Sequence, residues 1–120
     1  MFVAVYWWRV HPGKEEQFRA AWRRGTELIT AKYGSYGSRL HRAAGRGIVP
    51  HAADPGMGAT FIGVAEWPDE ASWRAAFDAK MVYDEPETRA AFLGAIAEAA
   101  SEPLLLMEAT DDLLTRPPNG

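Results

Sequence analysis

The chain has 120 residues, 48% of them hydrophobic and 24% charged, a length and balance that predict one globular domain and exclude a disordered chain. Its net charge of −3 argues against a nucleic-acid partner, for which a basic stripe is expected. It contains no cysteine, which removes disulfides, thiolate nucleophiles and Cys-held metals and makes the cytoplasm the expected location. No apolar run reaches the roughly 20 residues that span a bilayer, so no membrane partner is expected. The opening MFVAVYWWRV lacks the basic start and small-residue cleavage site of a signal peptide.

Residues 2–10 read as a strand that is apolar on both faces. Phe2, Ala4, Tyr6, Trp8 and Val10 fall on one side and Val3, Val5 and Trp7 on the other, with Arg9 as the one interruption. Pro12-Gly13 breaks it, and a helix follows from about Lys14 to Lys32 with Phe18, Ala21, Trp22, Gly25, Leu28 and Ile29 in one stripe. Glu15 and Glu16 in the first turn and Lys32 in the last suit the helix dipole. After Gly34 and Gly37, Ser38–Arg42 reads as a short second strand. Residues 43–59 are aperiodic and rich in Gly and Pro, a long loop.

Thr60–Trp67 is a third strand. Asp69 caps a second helix, about Asp69 to Met81, that buries Trp73, Ala76 and Phe77. Asp84 and Glu87 have capping-box spacing with Pro86 in the first turn of a third helix. That helix carries Phe92, Ala95, Ile96 and Ala99 on one face and closes at Pro103, before a last strand over Leu104–Thr110. The strand–turn–helix unit thus occurs twice. It predicts a ferredoxin-like α+β domain over 1–114, with a four-stranded antiparallel sheet, helices on one face, and a flexible tail at 115–120.

Tyr6–Trp22, the run GSYGSRLHR at 34–42 and FIGVAEWPDEASWRAAF at 61–77 together resemble the antibiotic biosynthesis monooxygenase family of dimeric α+β barrels. The resemblance implies a homodimer. If the chain is an enzyme, it implies oxygenation of an electron-rich polycyclic phenol or anthrone without a cofactor. The haem-degrading branch is not expected. Its first-strand Asn position holds Tyr6, Trp73 sits earlier than that branch's helical Trp, and no His follows His51 to serve as haem ligand.

Candidate chemistry is sparse. His11, His41 and His51 form no metal-ligand spacing, so no metal site is expected. His41 shares a strand face with Arg39 and has an imidazole suited to take a proton near neutral pH, which nominates His41 as base and Arg39 and Tyr6 as donors. Its plain alternative is an exposed ring on a sheet edge. Tyr6 and Trp8 point to the same side as Trp22, Trp73, Phe77 and Phe92, which form either a packed core or the walls of a pocket for a flat aromatic ligand. Arg39 and Arg42 are either anion ligands or guards of an edge strand. The apolar odd side of the first strand needs a cover. A second copy stacked by a two-fold contact provides one.

Overall fold

A computed structural model describes residues 1–43, 58–79, 83–100 and 102–115. The order of elements is β1 (Phe2–Val10), α1 (Glu15–Tyr33), β2 (Gly37–Arg42), β3 (Thr60–Trp67), α2 (Glu70–Asp78), α3 (Pro86–Ala95), β4 (Ile96–Ala99) and β5 (Leu105–Glu108). The sheet is antiparallel, in the order β2-β3-β1, with the far edge of β1 shared by two short strands. β5 pairs along Phe2–Val5 and β4 along Trp8–Val10. The fold is the expected α+β sheet with five strands in place of four. The second helix stops at Asp78, short of the expected Met81, and most of the expected 43–59 loop, with His51, and the tail beyond Thr115 lie outside the described residues.

Local chemistry accounts for most boundaries. α1 ends where Gly34 takes a left-handed conformation, φ +75°, and its N–H returns to the Thr30 carbonyl at 3.1 Å. The Asp69 carboxylate caps α2 by accepting from the Ser72 N–H at 2.8 Å. The expected cap at Asp84 is corrected. Asp84 faces Lys32 at 3.4 Å, Glu85 is the N-cap, and Pro86 opens the helix where a missing N–H costs nothing.

The third helix is also shorter than its apolar spacing predicts. It stops at Ala95, and Ile96–Ala99 leaves it as β4. β1 needs a hydrogen-bonding partner along Trp8–Val10. Ile96 opposite Val10 meets that need while its side chain still packs with Val10, Phe18 and Phe61.

Pairing register sorts the side chains. Tyr6, Trp8, Phe61, Ala65 and Trp67 share the sheet face that the helices cover, with Ser38, Leu40 and Arg42 of β2. Val5, Trp7, Ile62 and Val64 share the opposite face with Arg39 and His41, and Leu105 and Met107 of β5 continue it. Under the helices the core forms two clusters. One holds Phe2, Ala4, Ala65, Trp67, Trp73 and Ala76; the other holds Val10, Phe18, Phe61 and Ala95. Phe18 is fully buried and lies 5.1 Å from the Phe61 ring and 5.5 Å from the Phe92 ring. Among the described residues no helix is long and apolar enough to cross a membrane.

Candidate functional site

The two core clusters do not close on each other. Between them lies a cavity of about 540 Å³, bounded below by the sheet and above by α1 and α3. Tyr6 and Trp8 of β1 and Gly63, Ala65 and Trp67 of β3 form its floor, and Trp22, Ile29, Tyr83 and Phe92 form much of its wall. Gly63 is needed here because the Trp8 ring lies over it, 2.9 Å from where a Cβ would stand. On the opposite wall the Tyr83 ring fills the space that a side chain at Gly25 would take.

One polar group on the floor has spare donor capacity, and a second donor is sealed within the floor, out of contact with the open cavity. The Trp73 Nε1–H donates to the Tyr6 hydroxyl oxygen at 2.8 Å, which leaves the hydroxyl's own hydrogen for another acceptor. Burial raises the Tyr6 pKa above its ordinary value, with the Trp73 bond opposing, so the phenol is a neutral donor at physiological pH. The second group is the Trp67 indole. Trp67 is 1% exposed, and its Nε1–H has no hydrogen-bond partner among the described residues. Leaving such a donor unpaired costs about 1–3 kcal/mol. Thr26, Thr30 and Ser38 add hydroxyls to the lining, and Arg89 of α3 adds a cation. Tyr83 is raised well above the usual phenol range by burial. Among the described residues no carboxylate, Lys or imidazole borders the cavity.

The residues nominated from sequence divide. Tyr6, Trp8, Trp22 and Phe92 meet at the cavity. Trp73 and Phe77 belong to the packed core behind Tyr6, stacked on each other at 5.1 Å, with Phe2 5.5 Å from Trp73. For these two the packed-core alternative holds, although Trp73 reaches the site through the Tyr6 oxygen. His41 and Arg39 occupy the other face of the sheet from Tyr6. His41 is exposed, with Nδ1 3.3 Å from the Ile62 carbonyl oxygen, and the structure does not bring it together with Tyr6. His11 is exposed at the end of β1. Among the described residues no group of three His, Asp or Glu side chains is placed to hold a metal ion.

Sequence reasoning missed Trp67 and Tyr83. Trp67 had a usable signal, because it shares strand parity with Phe61 and Ala65, whose side chains face the helices. Tyr83 had none, since it lies in a connection without periodicity.

No protein-family model and no curated protein sequence matches the chain. Solved structures do. A protein from Bordetella bronchiseptica named "putative antibiotic biosynthesis monooxygenase" superposes with a TM-score of 0.56 at 19% identity, over 91% of this chain and 96% of that one. At3g17210 from Arabidopsis thaliana superposes with a TM-score of 0.57 at 11% identity, over 97% of this chain and all of that one. At such identities the likeness is one of fold. It extends over nearly the whole of each chain, and it bears out the α+β architecture read from the sequence.

Proposed function

We propose that the cavity binds a planar, electron-rich aromatic of the anthrone or quinol type in its enolate or phenolate form and promotes its oxygenation by O₂. The observation that carries this reading is the pairing of aromatic walls with a neutral donor on the floor, Tyr6 Oη–H, beside the hydroxyls of Thr26, Thr30 and Ser38. Such donors stabilise an oxyanion more than its protonated parent, so they lower the ligand's own pKa inside an aromatic-walled site. The ionised ligand then serves as reductant. Its carbanion gives one electron to O₂, the resulting radical and superoxide combine to a peroxide, and loss of water leaves a carbonyl where a CH₂ stood. One oxygen atom enters the product and the other leaves as water. The name of the Bordetella bronchiseptica structure is in keeping with this chemistry.

Among the described residues the cavity lining offers no carboxylate or imidazole to take the substrate proton, and that favours a second reading, a binding protein without turnover. Oxygen uptake with anthrone, run beside quenching of Trp fluorescence by the same compound, separates the two. Quenching with protein-dependent uptake supports the oxygenase. Quenching alone supports the binder, and neither result refutes both.

A homodimer is proposed on the same footing. Val5, Trp7, Ile62, Val64, Leu105 and Met107 make an apolar surface on the sheet face away from the helices, with Leu105 53% exposed. At about 25 cal/mol per Å², burying some 600–800 Å² per subunit gives a gross stabilisation of roughly 15–20 kcal/mol, much of it offset by lost freedom on association. Sedimentation at micromolar concentration tests it. A species of 13.2 kDa, the mass of one chain, refutes it.

A further inference from the structure

We propose that the molecule taken by this site carries an oxyanion, a carboxylate on the aromatic frame or on a short arm, held by an arginine-lined groove beside the cavity. The inference rests on the cavity reading above and names the class of ligand. The groove, of about 560 Å³, runs between the first half of α1 and β2 and is bordered by Arg19, Arg23, Arg39 and Arg42 with Glu15. Trp22 and Ser38 border both the groove and the cavity, so the two spaces adjoin. On this proposal a single small molecule places its ring in the one and its charge in the other.

The charge balance is local and unusual for this chain. Arg19, Arg23 and Arg42 on the helix side of β2 against the lining carboxylate of Glu15 make a formal +2 in a protein whose net charge is −3, and Arg39 borders the groove from the outer side of that edge strand. Helical spacing places Glu15, Arg19, Trp22 and Arg23 on one face of α1, and Arg42 comes from β2 on the inward side, with Ser38 and Leu40. Arg42 is aligned by Glu15 at 2.7 Å and Arg19 by Glu16 at 2.8 Å. Among the described residues Arg23 and Arg39 have no carboxylate partner.

Protection of an edge strand explains cations at Arg39 and Arg42. It does not explain Arg19 and Arg23, which sit on a helix and face that strand. All four are Arg and none is Lys, and the planar fork of a guanidinium matches a carboxylate in two-point contact.

The test compares two probes of one ring system, anthracene-2-carboxylate and anthracene-2-methanol, titrated against the full chain by Trp fluorescence at low and high salt. The carboxylate is expected to bind the wild type roughly tenfold to a hundredfold more tightly than the alcohol, with the gap closing as salt rises. Arg23→Gln and Arg42→Gln are each expected to bring the carboxylate toward the alcohol's affinity. Unchanged alcohol binding in the same variants shows that the fold is intact. Inorganic phosphate is expected to displace the carboxylate and leave the alcohol bound. Equal affinity of the two probes for the wild type, or equal loss of both in the variants, overturns the groove assignment while leaving the cavity reading in place. If neither probe binds, the cavity reading fails and the groove assignment fails with it.

Discussion

Tyr6→Phe removes one oxygen atom, and the structure says what that atom supports. Its partner, Trp73 Nε1, donates to it at 2.8 Å, and Trp73 is 1% exposed, so removing the oxygen takes the protein acceptor from a buried indole N–H. A buried donor left without a partner costs about 1–3 kcal/mol, and the slight apolar gain of Phe over Tyr recovers little of it. For a domain of this length each kcal/mol lowers Tm by roughly 4 °C, so a fall of about 4–12 °C is expected. Urea unfolding followed by Trp fluorescence measures the same loss at constant temperature. Trp73→Phe and the double variant complete a cycle in which the coupling is expected at about 1 kcal/mol.

The pH dependence adds a second readout. Burial raises the Tyr6 pKa above its ordinary 10.0, so the neutral phenol is favoured in the folded state. Its contribution is fully present below pH 10 and is lost as pH rises through the folded value. Tyr6→Phe is therefore expected to reduce the alkaline loss of stability, with Tyr83, also raised by burial, supplying the remainder. A Tyr6→Phe protein within 0.5 kcal/mol of wild type, with zero coupling to Trp73, refutes the reasoning: it means that the hydroxyl neither buries nor bonds as described.

Three further outcomes follow from the same geometry. His41→Ala is expected to leave anthrone quenching and any oxygen uptake at wild-type values, because His41 is on the far side of the sheet; a tenfold loss of uptake restores it as the base. The Arg24 guanidinium, with Thr88, holds the Glu85 carboxyl down at about 2, a folded value below the unfolded one. The stability this gives is present above about pH 4.5 and is lost as pH falls toward 2, so Glu85→Gln is expected to flatten the acid limb of a Tm–pH curve over that window. Gly25→Ala ordinarily gains about 1 kcal/mol in a helix, but here the new Cβ meets the Tyr83 ring, so a net loss in urea unfolding is expected and a net gain places Tyr83 elsewhere.

Much of this fold could be read because its sheet is written in alternation. β1 and β3 have the bounds expected from sequence, and the inward parity of β1 follows from Phe2, Ala4, Tyr6, Trp8 and Val10. The same logic was available on β2. In GSRLHR the one large apolar residue is Leu40, so the inward set is Ser38, Leu40 and Arg42, and His41 and Arg39 must turn away. The His41 nomination followed residue chemistry where parity decides position. The split between α3 and β4 was not legible, because Phe92, Ala95, Ile96 and Ala99 fit a helical stripe. What ends the helix is the demand of β1 for a partner, a need that lies nearly ninety residues away. The cavity was not legible either. Sequence supplies the same aromatic residues to a filled core and to a hollow one, and the difference lies in how Trp8 lies over Gly63 and Tyr83 against Gly25.

The sequence suggested a protein base, and the structure lines the cavity with donors instead. Tyr6 can donate to an anion but, as a neutral phenol, does not accept a proton from its parent at neutral pH, so under the proposed function ionisation comes from the ligand's own acidity, lowered on binding. The consequence separates two mechanisms without a mutation. If the donors alone set ionisation, the inflection in a pH–rate curve shifts with the substrate, following the acidity of each anthrone or quinol across a series. If a protein group takes the proton, the inflection for kcat/KM stays fixed at that group's pKa whichever substrate is used. A fixed inflection near pH 6–7 across substrates of differing acidity would defeat the donor mechanism and demand an imidazole near the ring, which the described lining does not contain.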